Sequence, residues 1–219
     1  MNNGNKAFWN KWASRYDRTM SGSRNTYDFI IREIKKTLNR DMTVLELACG
    51  TGLVSERIAG SVKMLEATDF SEDMIRKAKE KAHSCRLHFS VQDATNLPYA
   101  PETFDAVIIS NALHVMPSPD KALSEIARVL KSNGILIAPT FTMADTFLGK
   151  MQMRIMELSG FKVFHKWSSD AYLKYLNASG FKVIKSCTVG GTAKLTYAEA
   201  NKINKLKRWI QNGKNDFKD

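Results

Sequence analysis

Three carboxylates in this 219-residue sequence stand at matching places, each near the end of an apolar run. Glu46 lies in MTVLELACGTG, Asp69 closes VKMLEATD and Asp93 closes RLHFSVQD. After the first come Gly50 and Gly52, and glycines there let the backbone turn sharply and approach a ligand closely. A dinucleotide site asks for G-x-G-x-x-G with its pyrophosphate on a helix N-terminus. The third glycine position here holds Ser55, and Glu46 would repel a pyrophosphate. That acid suits a cation instead, such as an amino group. Asp69 can take two ribose hydroxyls, as in nucleotide-binding folds, or serve as a plain helix N-cap. Asp93, followed by the polar loop ATNLP, can accept a hydrogen bond from an adenine amine. Acids at the carboxyl ends of three successive strands would border one crevice, where open α/β sheets bind ligands.

The elements that must carry these groups are legible as apolar runs alternating with helical patterns. MTVLELA (42–48), VKMLEATD (62–69), RLHFSVQD (86–93), FDAVIISNAL (104–113) and GILIAPTF (134–141) read as strands. TGLVSERIA, SEDMIRKAKEKA with Ser71 as its cap, and PDKALSEIARVLKSNG with Asn133-Gly134 as its stop read as helices. Strand alternating with helix predicts a doubly wound, mostly parallel sheet covered on both faces. After residue 141 the pattern changes to a Met-, Phe- and Leu-rich stretch. A helix and a sixth strand follow (SSDAYLKYLNASGFKVIKSCTVGG), and AKLTYAEA is expected as a seventh, antiparallel edge strand. One domain is expected over 1–199, with an N-terminal helical cap (1–40) and a lid insertion (141–168), and then a basic helix or tail over 200–219.

Composition narrows the class. Hydrophobic residues make up 43% and charged ones 25%, as in a globular protein. Cys49, Cys85 and Cys187 form neither a C-x-x-C pair nor a zinc pattern, so no metal site is expected, and their sparse odd number suits a reducing cytoplasm. The N-terminus carries no apolar signal core, and no run of ~18 apolar residues spans a membrane. The net charge of +11 opens contact with RNA, an anionic membrane surface or an acidic substrate, although a solvated basic surface accounts for it equally. In the tail, Ile203, Leu206, Trp209 and Ile210 recur at helical spacing among lysines, which suits docking on the domain itself or on such a surface.

Taken together, VLELACGTG, ATDFSEDM, VQDATNLP, FDAVIISNALH and EIARVLKSNGILI resemble the successive motifs of class I, Rossmann-like S-adenosylmethionine-dependent methyltransferases, most closely the methyltransferase type 11 group. The resemblance implies a seven-stranded sheet in the order 3-2-1-4-5-7-6 with the last strand antiparallel, and a small helical lid. It implies S-adenosylmethionine as cofactor and S-adenosylhomocysteine as product. On this likeness Glu46, Ala48 and the Gly50/Gly52 loop hold the methionine portion. Ala48 departs from the glycine of many members. Asp69 holds the ribose, Met74 lies by the adenine, Asp93 and Ala94 read its edge, Ser110 and Asn111 line the amino-acid end, and Phe70 is also among the cofactor-binding residues.

Methyl transfer from a sulfonium needs alignment and exclusion of water, and a base only if the acceptor must lose a proton. His114 could be that base and Tyr16 its partner over the methyl group, a placement similar to the tyrosine and histidine of phosphoethanolamine methyltransferases. His114 could equally pack or cap a loop. The Met-rich insertion (Phe141, Phe147, Leu148, Met151, Ile155, Met156) suits a lid over a partly apolar acceptor, or a helix packed on the sheet edge. A small-molecule or lipid-like acceptor is therefore expected, and nothing in the sequence demands a protein partner. An RNA methyltransferase is the alternative, against which SNAL stands where an Asp/Asn-Pro-Pro-aromatic motif would. A non-catalytic cofactor-binding regulator is another, since methyl transfer requires no obligatory catalytic side chain.

Overall fold

A computed structural model of the chain describes residues 9–11, 13, 24–142, 146, 151, 154, 162–190 and 194–203. Five helices and eight strands are defined along them, in the order α1 (Arg24–Thr37), β1 (Thr43–Leu47), α2 (Ser55–Ile58), β2 (Met64–Asp69), α3 (Glu72–Lys79), β3 (Leu87–Val91), β4 (Phe104–Ile109), α4 (Pro119–Val129), β5 (Leu130–Ile137), β6 (Thr140–Phe141), α5 (Ser169–Ala178), β7 (Phe181–Val189) and β8 (Leu195–Lys202).

The strands form one sheet in the order β3-β2-β1-β4-β5-β8-β6, with β7 on the other flank of β8. β3, β2, β1, β4 and β5 pair in parallel, and β8 runs antiparallel to both β5 and β7. β6 continues the path of β5, pairing Thr140 and Phe141 with Thr196 and Leu195 further along β8. Taking β5 and β6 as one ribbon, this is the expected seven-ribbon order with its last strand antiparallel. One expectation needs correcting: β8 is not an edge but lies between β5 and β7. It is buried from Leu195 to Ala200, and β7 takes the edge with alternating exposure.

Side-chain periodicity explains the layers. Leu45 and Leu47 of β1 point into one core with Ala122, Leu123 and Ile126 of α4 and Tyr172 and Leu176 of α5. Val44, one residue out of step, points into the opposite core with Tyr27, Ile30, Ile31 and Ile34 of α1 and Ile58 of α2. α1 therefore belongs to the packed sheet and β8 extends to Lys202, so the core draws on both ends of the described chain.

Caps set the boundaries of the helices. Ser71 Oγ accepts from Met74 N to start α3, and Glu72 and Asp73 occupy its first turn, where carboxylates are favoured. Pro119 starts α4 at a position that needs no N–H. α4 ends at Val129, short of the expected Asn133-Gly134 stop. Leu130 is already in β5 and pairs with Phe104, so a buried strand partner overrides the local helical pattern. No helix among the described residues is long and apolar enough to cross a membrane.

Candidate active site

The carboxyl ends of β1, β2, β3 and β4 open on one cleft of about 700 Å³. Eight of the residues singled out from the sequence line it: Ala48, Gly50, Asp69, Phe70, Met74, Ala94, Ser110 and Asn111. The loop after β1 turns through left-handed backbone at Ala48 (φ 53°), Gly50 (φ 56°) and Gly52 (φ 78°). Ala48 holds this φ with a Cβ, at a cost of about 1 kcal/mol or more relative to glycine. Asn111 (φ 54°) does the same on the opposite wall. Backbone strain of this kind persists only where its surroundings over-determine it, and here it recurs on two walls of one cleft.

Asp69 ties the floor together. Its Oδ2 accepts from Gly50 N at 2.9 Å and its Oδ1 from Ser71 N at 2.8 Å, which links the glycine loop to the start of α3. Burial pushes this carboxyl above its ordinary value, against the hydrogen bonds from the Ser71, Gly50 and Phe70 amides. Each oxygen keeps a further lone pair for a ligand hydroxyl. On the far wall, Ser110 Oγ and Asn111 Oδ1 are buried and lack a hydrogen-bond partner among the described residues. Orphaned buried acceptors are costly, on the order of 1–3 kcal/mol each. Two of them lining one cleft fit a polar ligand.

Three other residues expected at the site are not among those that line the cleft. Glu46 faces the Val44 side of β1, beneath the loop, and accepts from Ser55 Oγ at 2.6 Å. Burial pushes its carboxyl up to about 7. Gly52 packs behind the loop, where an added Cβ would meet Phe89 Cζ at 2.9 Å. Asp93 follows β3, and its Oδ1 accepts from Thr95 N (2.9 Å) and Thr95 Oγ1 (2.7 Å). Burial raises the Asp93 carboxyl, but its interactions, first among them the bond from Thr95 N, hold it below its ordinary value. Since the loop after β1 has no room at Gly52, Gly52→Ala is expected to destabilise the fold by roughly 2 kcal/mol, from its positive φ and the Phe89 contact together. Urea unfolding measures this, and unchanged stability would mean the loop relaxes around the new methyl.

His114 lies in the turn after β4, is 6% exposed, and does not line the cleft, although its neighbours Ala112, Val115 and Met116 do. Its Nδ1 is 2.9 Å from Thr140 Oγ1, and its ring meets Phe141 edge-on at 6.3 Å. Burial, aided by His165, lowers its pKa to about 4, so the imidazole is neutral at neutral pH. Tyr16 lies outside the described residues, as do Phe147, Leu148, Ile155, Met156 and the tail beyond Ile203. Among the described residues no group of three or more His, Cys, Asp or Glu is arranged to hold a metal ion.

Sequence reasoning missed Ser71, Gln92, Ala112, Val115 and Met116 on the cleft wall. Gln92, Val115 and Met116 sit in the loops after β3 and β4, and their place at strand ends was the available signal. Trp9 reaches the cleft from an N-terminal helical turn, whose Asn10 Oδ1 is 2.5 Å from Ser71 Oγ.

A family profile described as "Methyltransferase domain" matches residues 45–138, the stretch that builds this cleft. Demethylmenaquinone methyltransferase of Leptospira interrogans is 36% identical over 59% of this chain and 57% of its own length. An uncharacterized protein of Methanocaldococcus jannaschii is 27% identical over 90% of this chain and 89% of its own. The chain spans about half the length of the curated demethylmenaquinone methyltransferases it matches. Among solved structures, magnesium protoporphyrin IX methyltransferase from Synechocystis, with bound S-adenosylhomocysteine, superposes with a TM-score of 0.72 over 90% of this chain and 97% of that one, at 19% identity. The matched profile, over the residues that build the cleft, supports a class I S-adenosylmethionine-dependent methyltransferase domain, and the sheet order is that of the Rossmann-like methyltransferase fold.

Proposed function

We propose that this chain is an S-adenosylmethionine-dependent methyltransferase acting on a small-molecule or lipid-like acceptor. One observation carries the reading: the tethered carboxylate of Asp69 and the unpartnered Ser110 Oγ and Asn111 Oδ1 line a single cleft at the strand ends. Asp69 would hold a ribose and Ser110 and Asn111 the amino-acid end, with Met74 and Ala94 flanking an adenine. The bound sulfonium supplies an electrophilic methyl group. The residues of the chain then orient the acceptor and exclude water. Ala112, Val115 and Met116 give one wall an apolar character suited to an aromatic or aliphatic acceptor. A quinol-type acceptor is in keeping with the demethylmenaquinone methyltransferases it resembles. For a hydroxyl acceptor, His114 beside the cleft would take the proton, with Tyr16 as its partner. An imidazole with a pKa of about 4 is a weak base, so His114→Gln is expected to slow such a reaction no more than about 100-fold.

The test is a mass-spectrometric search for copurified cofactor, followed by methyl transfer from labelled S-adenosylmethionine to amines, phenols, quinols, lipids and RNA. Transfer to a phenol or quinol, without transfer to RNA, is expected. Copurified nicotinamide dinucleotide, or a chain that binds S-adenosylmethionine but labels nothing, would overturn the reading.

A further inference from the structure

The segment that enters α5 has two unlike faces. Lys162, Phe164 and Lys166 are exposed, whereas Val163, His165 and Trp167 between them are partly buried. The inner row fixes this alternation. His165 stacks on Trp167 at 4.9 Å and 14°, Trp167 stacks on Tyr175 at 4.7 Å and 27°, and Trp167 also lies against the fully buried Tyr172. The backbone is pinned as well, since Phe164 N (3.0 Å) and His165 N (3.1 Å) both donate to the carbonyl of His114. The outer row cannot turn inward without unstacking this ladder. Phe164 is left 42% exposed, the one aromatic side chain among the large apolar groups exposed on the described residues, with a lysine on each side.

We propose that Lys162, Phe164 and Lys166 form a membrane-docking edge, Phe164 entering the headgroup region of an anionic bilayer and the two lysines meeting its phosphates. An aromatic ring between cations is the side-chain set that interfacial segments use, and the chain's net charge of +11 complements an anionic surface. The edge also has a functional position. Its anchor, the His114 carbonyl, belongs to the same turn as Ala112, Val115 and Met116, which line the cleft. A lipid-borne acceptor would thus leave the bilayer beside the apolar wall. That last step rests on the methyl-transfer reading; the docking itself does not.

The experiment is flotation of the full chain with vesicles of phosphatidylcholine, alone or mixed with phosphatidylglycerol, in the absence of any turnover. The protein is expected to float with the anionic vesicles only and to be released at high salt. Phe164→Ser and the double variant Lys162→Glu/Lys166→Glu should each lower the bound fraction about fivefold or more, while Phe164→Trp retains binding. Affinity for S-adenosylhomocysteine, measured by calorimetry, should be equal in all four proteins, which shows that they are folded and keeps the docking result separate from the cofactor reading. Wild-type protein that stays off anionic vesicles overturns the proposal. So does a Phe164→Ser or Lys162→Glu/Lys166→Glu variant that floats like wild type, and so does a short RNA that displaces the protein from vesicles through these same residues.

Discussion

Asp69→Ala is expected to weaken binding of S-adenosylmethionine by roughly 1.5–3 kcal/mol, the scale of hydrogen bonds to a charged group, or about 10- to 150-fold in Kd. The same substitution should also lower stability. Gly50 N and Ser71 N both donate to this carboxylate, and an alanine leaves both amides without their acceptor. That loss is about 1–3 kcal/mol. The two effects separate by measurement, with titration calorimetry reading the first and urea unfolding the second. Asp69→Asn helps to divide them, because it keeps the shape and one acceptor oxygen while placing an amide donor against one of the backbone amides. A folded alanine variant with unchanged cofactor affinity would rule out the ribose contact and leave Asp69 as a purely architectural tie.

That Asp69 has two tasks was not readable from ATDFSEDM. A carboxylate at a strand end signals a ligand or a cap, and here the backbone amides on both sides of it complete a loop-to-helix tether. The central sheet was legible because its strands are unbroken apolar runs that need burial on both faces, and because Ser71 and Pro119 mark where helices begin. The order of the last strands was not legible from period two alone. Period two tells which side chains share a face and says nothing about which strand takes the edge, so AKLTYAEA read by itself as an edge strand, and only the order implied by the resemblance set it between the fifth and sixth strands, where β8 lies. The helix stop at Asn133-Gly134 failed for a related reason, since Leu130 answers to Phe104 across the sheet rather than to its own helical neighbours. Glu46 shows the same gap at the site. Its position near the end of β1 was clear, but whether it faced the cleft depended on which face of β1 carries Val44, α1 and α2.

The buried Glu46 and His114 give this protein an expected pH signature in which two large effects conceal each other. Burial raises the Glu46 carboxyl from 4.5 to about 7. The folded chain therefore binds a proton that the unfolded chain has lost between those values, and stability falls as pH rises from about 4.5 to 7. Burial lowers His114 from 6.5 to about 4. The unfolded chain then binds the extra proton, and stability rises over about pH 4 to 6.5. Each effect amounts to on the order of 3 kcal/mol across its full window, and the windows nearly coincide. The wild-type chain should therefore show little net change between pH 5 and 6.5. The carboxylates held low by partners, such as Glu125 beside Arg128 and Asp105 beside Lys131, lose their contribution only at more acid pH, and the raised carboxyl of Asp69 adds a slope of the same sign as that of Glu46 that wild type, Glu46→Gln and His114→Gln have in common. Glu46→Gln keeps an acceptor for Ser55 Oγ and removes one slope, so its stability should rise by about 2 kcal/mol from pH 5 to 7. His114→Gln removes the other, and its stability should fall by about the same amount. Urea unfolding at both pH values measures all three proteins. Parallel pH profiles would mean that neither group is buried as an ionisable side chain beside the cleft. Opposed profiles would establish that the loop under Gly50 rests on a carboxyl half-protonated near neutral pH, and the turn after β4 on an imidazole that stays uncharged.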